Sequence, residues 1–88
     1  MVYQLRFTAG AHDGLSRLAQ TDAQRVLDRL KWLITNLDSI TLQPLKGPFK
    51  GYYKFRIGDY RAIYSVDKPS FTVIVESVAH RSEAYRLK

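Results

Sequence analysis

Lys54, Arg56 and Arg61 stand on either side of Gly58-Asp59, a Gly-X pair of the kind that closes a two-residue β-hairpin. Such a turn fixes the register, with Ile57 opposite Tyr60, Arg56 opposite Arg61, Phe55 opposite Ala62 and Lys54 opposite Ile63. Directly opposed residues share a sheet face. One face of the hairpin is therefore Tyr52, Lys54, Arg56, Arg61, Ile63 and Ser65. The other, apolar and aromatic, is Tyr53, Phe55, Ile57, Tyr60, Ala62 and Tyr64. Two arginines directly across a ladder cost on the order of 0.2–1 kcal/mol. An anion held between them would offset that cost. A solvated outer face whose arginines splay apart is the other reading of the same pattern.

Downstream lie His80, Arg81 and Tyr85. A histidine can carry a proton near neutral pH, an arginine can grip a phosphate with two hydrogen bonds, and a tyrosine can stack on a base. With the hairpin cations, these are the groups that phosphodiester cleavage in RNA requires. That reaction needs a base for the 2′-hydroxyl, charge to stabilise the crowded phosphate, and an acid for the leaving oxygen. Taken singly, each residue also has a plain structural explanation. No paired carboxylates stand near the hairpin to hold magnesium, so a mechanism without metal is expected. A phosphate-binding Gly-rich loop, a nucleophilic serine motif and a dinucleotide fingerprint are equally absent from the sequence.

Composition fits an anionic partner. The 88 residues carry 14 Lys+Arg against 8 Asp+Glu, a net charge of +6. Residues 1–43 hold five cations and four acids, whereas residues 44–88 hold nine cations and four acids, so the excess lies in the second half. With no cysteine and two histidines, disulfides, thiolate chemistry and a histidine-rich zinc site are ruled out. No apolar run approaches the ~20 residues of a membrane span, and the N-terminus lacks a signal-peptide core. A reducing cytoplasm is the expected location.

The elements that must position these groups are readable from periodicity. Tyr3, Leu5 and Phe7 alternate as in a short strand, and Thr8 is placed to cap a first helix ending near Ala19. Thr21 and Gln24 have the spacing of a capping box for a second helix, whose apolar stripe is Val26, Leu27, Leu30, Leu33, Ile34 and Leu37. Residues 38–51, with Pro44 and Pro48, read as a loop. Three strands follow over Tyr52–Ile57, Tyr60–Val66 and Phe71–Val78, before a helical or irregular tail. The expected fold is α+β, one domain over residues 1–88: an N-terminal strand, two helices, then a three-stranded antiparallel meander with the helices on one sheet face. Trp32 falls opposite the apolar stripe, among Arg25, Asp28 and Arg29. Either the first helix or the 38–51 loop covers it, or a partner protein does.

The chain resembles the RelE/ParE superfamily of bacterial type II toxin–antitoxin toxins. The resemblance rests on Leu45-Lys46-Gly47, on the run from Gly51 to Tyr64, and on Val78-Ala79-His80-Arg81-Ser82-Glu83-Ala84-Tyr85. The hairpin is common to the whole superfamily. The closing His-Arg…Tyr segment is similar to the RelE branch, whose members cleave messenger RNA in the ribosomal A site, rather than to the ParE branch, which poisons DNA gyrase. The resemblance implies a RelE-like fold, a cytoplasmic endoribonuclease of the mRNA interferase type that inhibits translation, no cofactor, and partners in the ribosome, its message and a RelB-like antitoxin. It implies that Lys54 is the base, that Arg61 and Arg81 neutralise the scissile phosphate, and that Tyr85 stacks on or orients the substrate. Arg56 stands where RelE-type toxins carry a second lysine; with Tyr52 it becomes a substrate-binding residue. Since arginine is a poor proton donor, His80 is the candidate acid. Trp32 becomes the candidate antitoxin contact. The alternatives are a gyrase-binding toxin on the same fold and a plain RNA-binding module.

Overall fold

Around the Gly58-Asp59 turn the pairing is the one expected, with Arg56 opposite Arg61 and Lys54 opposite Ile63. Gly58 takes a φ of +59°. A left-handed first turn position beside an ordinary second one is the type II′ pattern, which glycine adopts without strain. The structure, a computed structural model, describes residues 2–82. The expected tail beyond Arg81, Tyr85 included, lies outside the described residues from 83 on.

The elements run β1 (Gln4–Phe7), α1 (Ala9–Ser16), α2 (Gln20–Asn36), β2 (Gln43–Pro44), β3 (Tyr53–Ile57), β4 (Tyr60–Asp67) and β5 (Thr72–His80), with short 3₁₀ turns at Leu37–Ser39 and Gly47–Phe49. They form a five-stranded mixed sheet in the order β1-β5-β4-β3-β2. The α+β architecture is therefore present with two additions. β1 joins the meander by pairing parallel to β5, Leu5 beside Val73 and Phe7 beside Val75. Within the expected loop, Gln43 and Pro44 pair with Lys54 and Tyr53 to form a minimal edge strand. A proline is tolerated there because one side of an edge strand needs no donor.

The helix boundaries follow local chemistry only in part. Thr8 caps α1 as expected, its Oγ1 accepting from the Ala11 N–H at 3.1 Å and donating to the Glu76 carbonyl at 2.9 Å. The capping box of α2 does not form. The helix starts two residues earlier, with Ala19 at the cap position and no side-chain cap bond. Gln24 instead donates to Asp28 Oδ1 at 2.9 Å, one turn along the helix. The apolar stripe holds except at Leu27, which lies outside the core cluster: Val26, Leu30 and Leu33 are fully buried with Tyr64, Val73 and Val75. Each such aliphatic side chain contributes roughly 1.5–3 kcal/mol of burial.

α1 packs against β5 through Gly14, where an added Cβ would collide with the Val78 carbonyl oxygen. The glycine that weakens the helix as a local sequence is what lets the helix approach the strand. Gly14→Ala is expected to cost a net of about 2 kcal/mol despite its better helix propensity, lowering Tm by roughly 8–16 °C. Thermal denaturation of the variant checks this.

β5 extends two residues beyond the expected Val78, and it contains a bulge. Ile63 pairs with Ser77 but Tyr64 pairs with Val75, so Glu76 is the extra residue. The bulge explains how Val73, Val75 and Val78 can all face the core although 75 and 78 are an odd number of residues apart. It also decides where the last residues of β5 point.

Candidate nucleic-acid interface

On the outer face, Arg56, Arg61 and Ala79 form one cross-strand rung, and Lys54, Ile63 and Ser77 form the next. Successive rungs on a face lie about 7 Å apart. Arg61 is half-buried and folded back onto the turn: its Nη1 donates to the Tyr60 carbonyl at 3.0 Å and to the Gly58 carbonyl at 3.2 Å. Its guanidinium is thus aimed by the same hairpin that fixes its register. Arg56 is exposed and Lys54 half-buried. Among the described residues the only ion pair joins Arg17 to Asp13, and no described carboxylate neutralises any of the three hairpin cations.

Arg81 is brought to this cluster by its backbone. Its N–H donates to the Asp59 carbonyl at 2.8 Å, tying the end of β5 to the β3–β4 turn. Ile63, expected on an open face, is fully buried and lies outside the main core cluster. Beside it in the same rung, Ser77 Oγ is buried without a hydrogen-bond partner among the described residues. The outer face is therefore not a freely solvated sheet around these two residues. Sequence reading missed Ser77, although the phase change of the valines between Val75 and Val78 marks the bulge that puts it there.

His80 goes elsewhere. It pairs with Tyr60, and the two rings meet edge-to-face at 5.9 Å on the helix-covered side. Its Nδ1 lies 3.1 Å from Ser82 Oγ. Tyr60 in turn donates to Asp22 Oδ2 of α2 at 3.2 Å. Burial, then that hydrogen bond, raises the Tyr60 pKa, and burial pushes Tyr64 up to about 12. Lys54, Arg56 and Arg61 share one face, Arg81 is tethered beside their turn, and the His80 ring is on the other.

Tyr52, just before β3, lines a groove of about 840 Å³ that runs between α1 and the Glu76–His80 stretch of β5, so that His80 borders the groove although its ring packs on Tyr60. Trp32 is 39% exposed. Its indole stacks on Phe55 of β3, 6.3 Å between centroids and 3° from parallel. The Arg29 guanidinium lies over both rings, 4.6 Å from Trp32 and 5.5 Å from Phe55.

Residues 5–85 match the family described as ParE toxin of type II toxin-antitoxin system, parDE. The chain belongs to this toxin family. Within it, the similarity is to RelE-type proteins. The chain is 29% identical to Toxin RelE of Mycobacterium tuberculosis over 97% of its own length and 88% of that protein. The crystal structure of the toxin–antitoxin complex RelBE2 from the same organism superposes with a TM-score of 0.82 at 28% identity, covering 92% of this chain and 100% of that one. A mutant of the E. coli toxin RelE in the free state gives 0.76 at 28% identity, over 97% of this chain and 92% of that one. The protein is thus a type II toxin with the RelE-like fold. Among the described residues, no helix is long and apolar enough to cross a membrane.

Proposed function

We propose that this toxin is a ribosome-dependent endoribonuclease whose outer sheet face cleaves messenger RNA. The observation that carries the reading is the set of cations on one face, Lys54, Arg56 and Arg61, with the Arg81 N–H bonded to the Asp59 carbonyl of the same hairpin at 2.8 Å. Lys54 accepts the proton of the 2′-hydroxyl. The 2′-oxygen then attacks phosphorus and the bond to the 5′-oxygen breaks, leaving a 2′,3′-cyclic phosphate and a 5′-hydroxyl. Arg61 and Arg81 neutralise the phosphate as charge builds on it, and Arg56 and Tyr52 hold the strand on either side. Tyr85 would supply the stacking contact that the resemblance assigns to it.

His80 is given a packing role here, because its ring lies against Tyr60 on the far face. The leaving 5′-oxygen then takes its proton from water. His80→Gln should retain cleavage within about tenfold and keep both limbs of the pH–rate profile, against the 10²–10⁴-fold loss expected for a general acid.

The partners follow from the same reading: translating ribosomes in the cytoplasm, and a RelB-type antitoxin such as the one in the mycobacterial complex. The Arg29–Trp32–Phe55 stack, flanked by exposed Arg25 and Lys31, is the aromatic and cationic patch on which an acidic antitoxin segment docks. Trp32→Ala should weaken antitoxin binding by about 2 kcal/mol, roughly 30-fold, with cleavage unchanged. Calorimetric titration checks this; loss of stability with unaltered affinity would return Trp32 to a purely structural role.

Purified protein added to translating ribosomes, with primer extension on the message, tests the function. Cuts confined to the A-site codon are expected. An intact message together with inhibited gyrase supercoiling would replace this reading with the gyrase-binding one.

A further inference from the structure

The segment between β2 and β3 lines a second, half-open hollow of about 430 Å³. This is within the roughly 300–1,000 Å³ of small-ligand sites. Its walls are Pro44, Leu45, Tyr52 and Tyr53, and Lys46 and Lys50 stand at its rim. The loop is built rather than slack: Leu45 N–H bonds to the Tyr52 carbonyl at 3.0 Å, Tyr52 N–H to that of Phe49 at 3.1 Å, and Lys50 N–H to that of Gly47 at 3.1 Å. Both lysines are exposed, and among the described residues neither is paired with a carboxylate.

Two features specify the occupant. An apolar, aromatic-walled hollow with cations at its rim matches a nucleotide, whose base is flat and apolar on its faces and whose phosphate is anionic. The hollow also adjoins the groove beside Ser77 and Ala79, because Tyr52 lines both. Tyr52 is one rung, about 7 Å, from Lys54.

We propose that this hollow seats the base of a nucleotide adjacent to the cleaved bond, with Lys46 and Lys50 on its phosphate, and that it sets the sequence preference of the toxin. The adjacency rests on the ribonuclease reading above. The nucleotide chemistry rests on the lining itself.

The test uses the full chain labelled with ¹⁵N and titrated with the four ribonucleoside 5′-monophosphates, and with ribose 5-phosphate as control. Saturable shifts are expected at the amides of Leu45, Lys46, Gly51 and Tyr52, with an affinity that differs among the bases. Lys46→Ala combined with Lys50→Ala should weaken binding about fivefold or more. Equal binding of ribose 5-phosphate, or shifts confined to the Arg56–Arg61–Ala79 rung, would overturn the proposal. So would an unaltered codon preference in the double variant on ribosomes. Base-dependent binding in the hollow by a protein that cuts no message would instead refute the ribonuclease reading and leave the nucleotide site standing.

Discussion

Arg61→Ala should lower single-turnover cleavage of ribosome-bound message by about 10²–10³-fold, the usual consequence of removing a group that stabilises a developing oxyanion. The loss is expected in the chemical step. Arg61 is held by the Gly58 and Tyr60 carbonyls and so is already aimed before substrate arrives. Freed of those two bonds, the variant gives up little stability, because the carbonyls at an exposed turn regain water and because the repulsion from Arg56 across the ladder is relieved. Arg81→Ala should show the same loss, since the backbone tether to Asp59 survives the substitution. Quenched-flow kinetics and a thermal melt on each variant measure both effects together. Full cleavage by a folded Arg61 variant would remove the phosphate role from this face.

A second large effect is expected from a substitution that changes no charge. Lys54→Arg keeps a cation in the rung with Ile63 and Ser77, but a guanidinium cannot release its proton at any working pH. If Lys54 accepts the 2′-hydroxyl proton, this variant should lose about 10²–10⁴-fold in rate while binding an uncleavable message normally. A normal rate would make Lys54 an electrostatic contact only. The two experiments separate phosphate stabilisation from proton transfer within one face.

How far the sequence reaches into this structure depends on the range of the interactions. The hairpin register was legible because a two-residue turn leaves no freedom in pairing, and with it came the Lys54–Arg56–Arg61 face. The α2 stripe was legible because burial of Val26, Leu30 and Leu33 repeats at the helical period. The parallel pairing of β1 with β5 joins residues nearly seventy positions apart, and nothing local to Gln4–Phe7 names that partner. β2 was read as loop because two residues, one of them proline, carry no alternation at all. The capping box at Thr21 is a spacing the helix does not use, because the helix begins at Gln20 and Gln24 bonds to Asp28 instead. The placement of His80 turned on the bulge at Glu76, which shifts the remainder of β5 by one residue and so exchanges its faces. Trp32 was correctly placed off the apolar stripe, but its cover, Phe55, comes from a strand whose approach only the tertiary fold determines.

The central claim is that the Lys54–Arg61 face directs a 2′-oxygen onto the adjacent phosphate. The measurement that bears on it most directly compares two messages on programmed ribosomes, identical except for a 2′-deoxy sugar at the mapped cut. The account predicts that the unmodified message yields 2′,3′-cyclic phosphate and 5′-hydroxyl ends, and that the 2′-deoxy message is bound but left whole. Cleavage of the 2′-deoxy message at the same position, with a 5′-phosphate on the product, would contradict it.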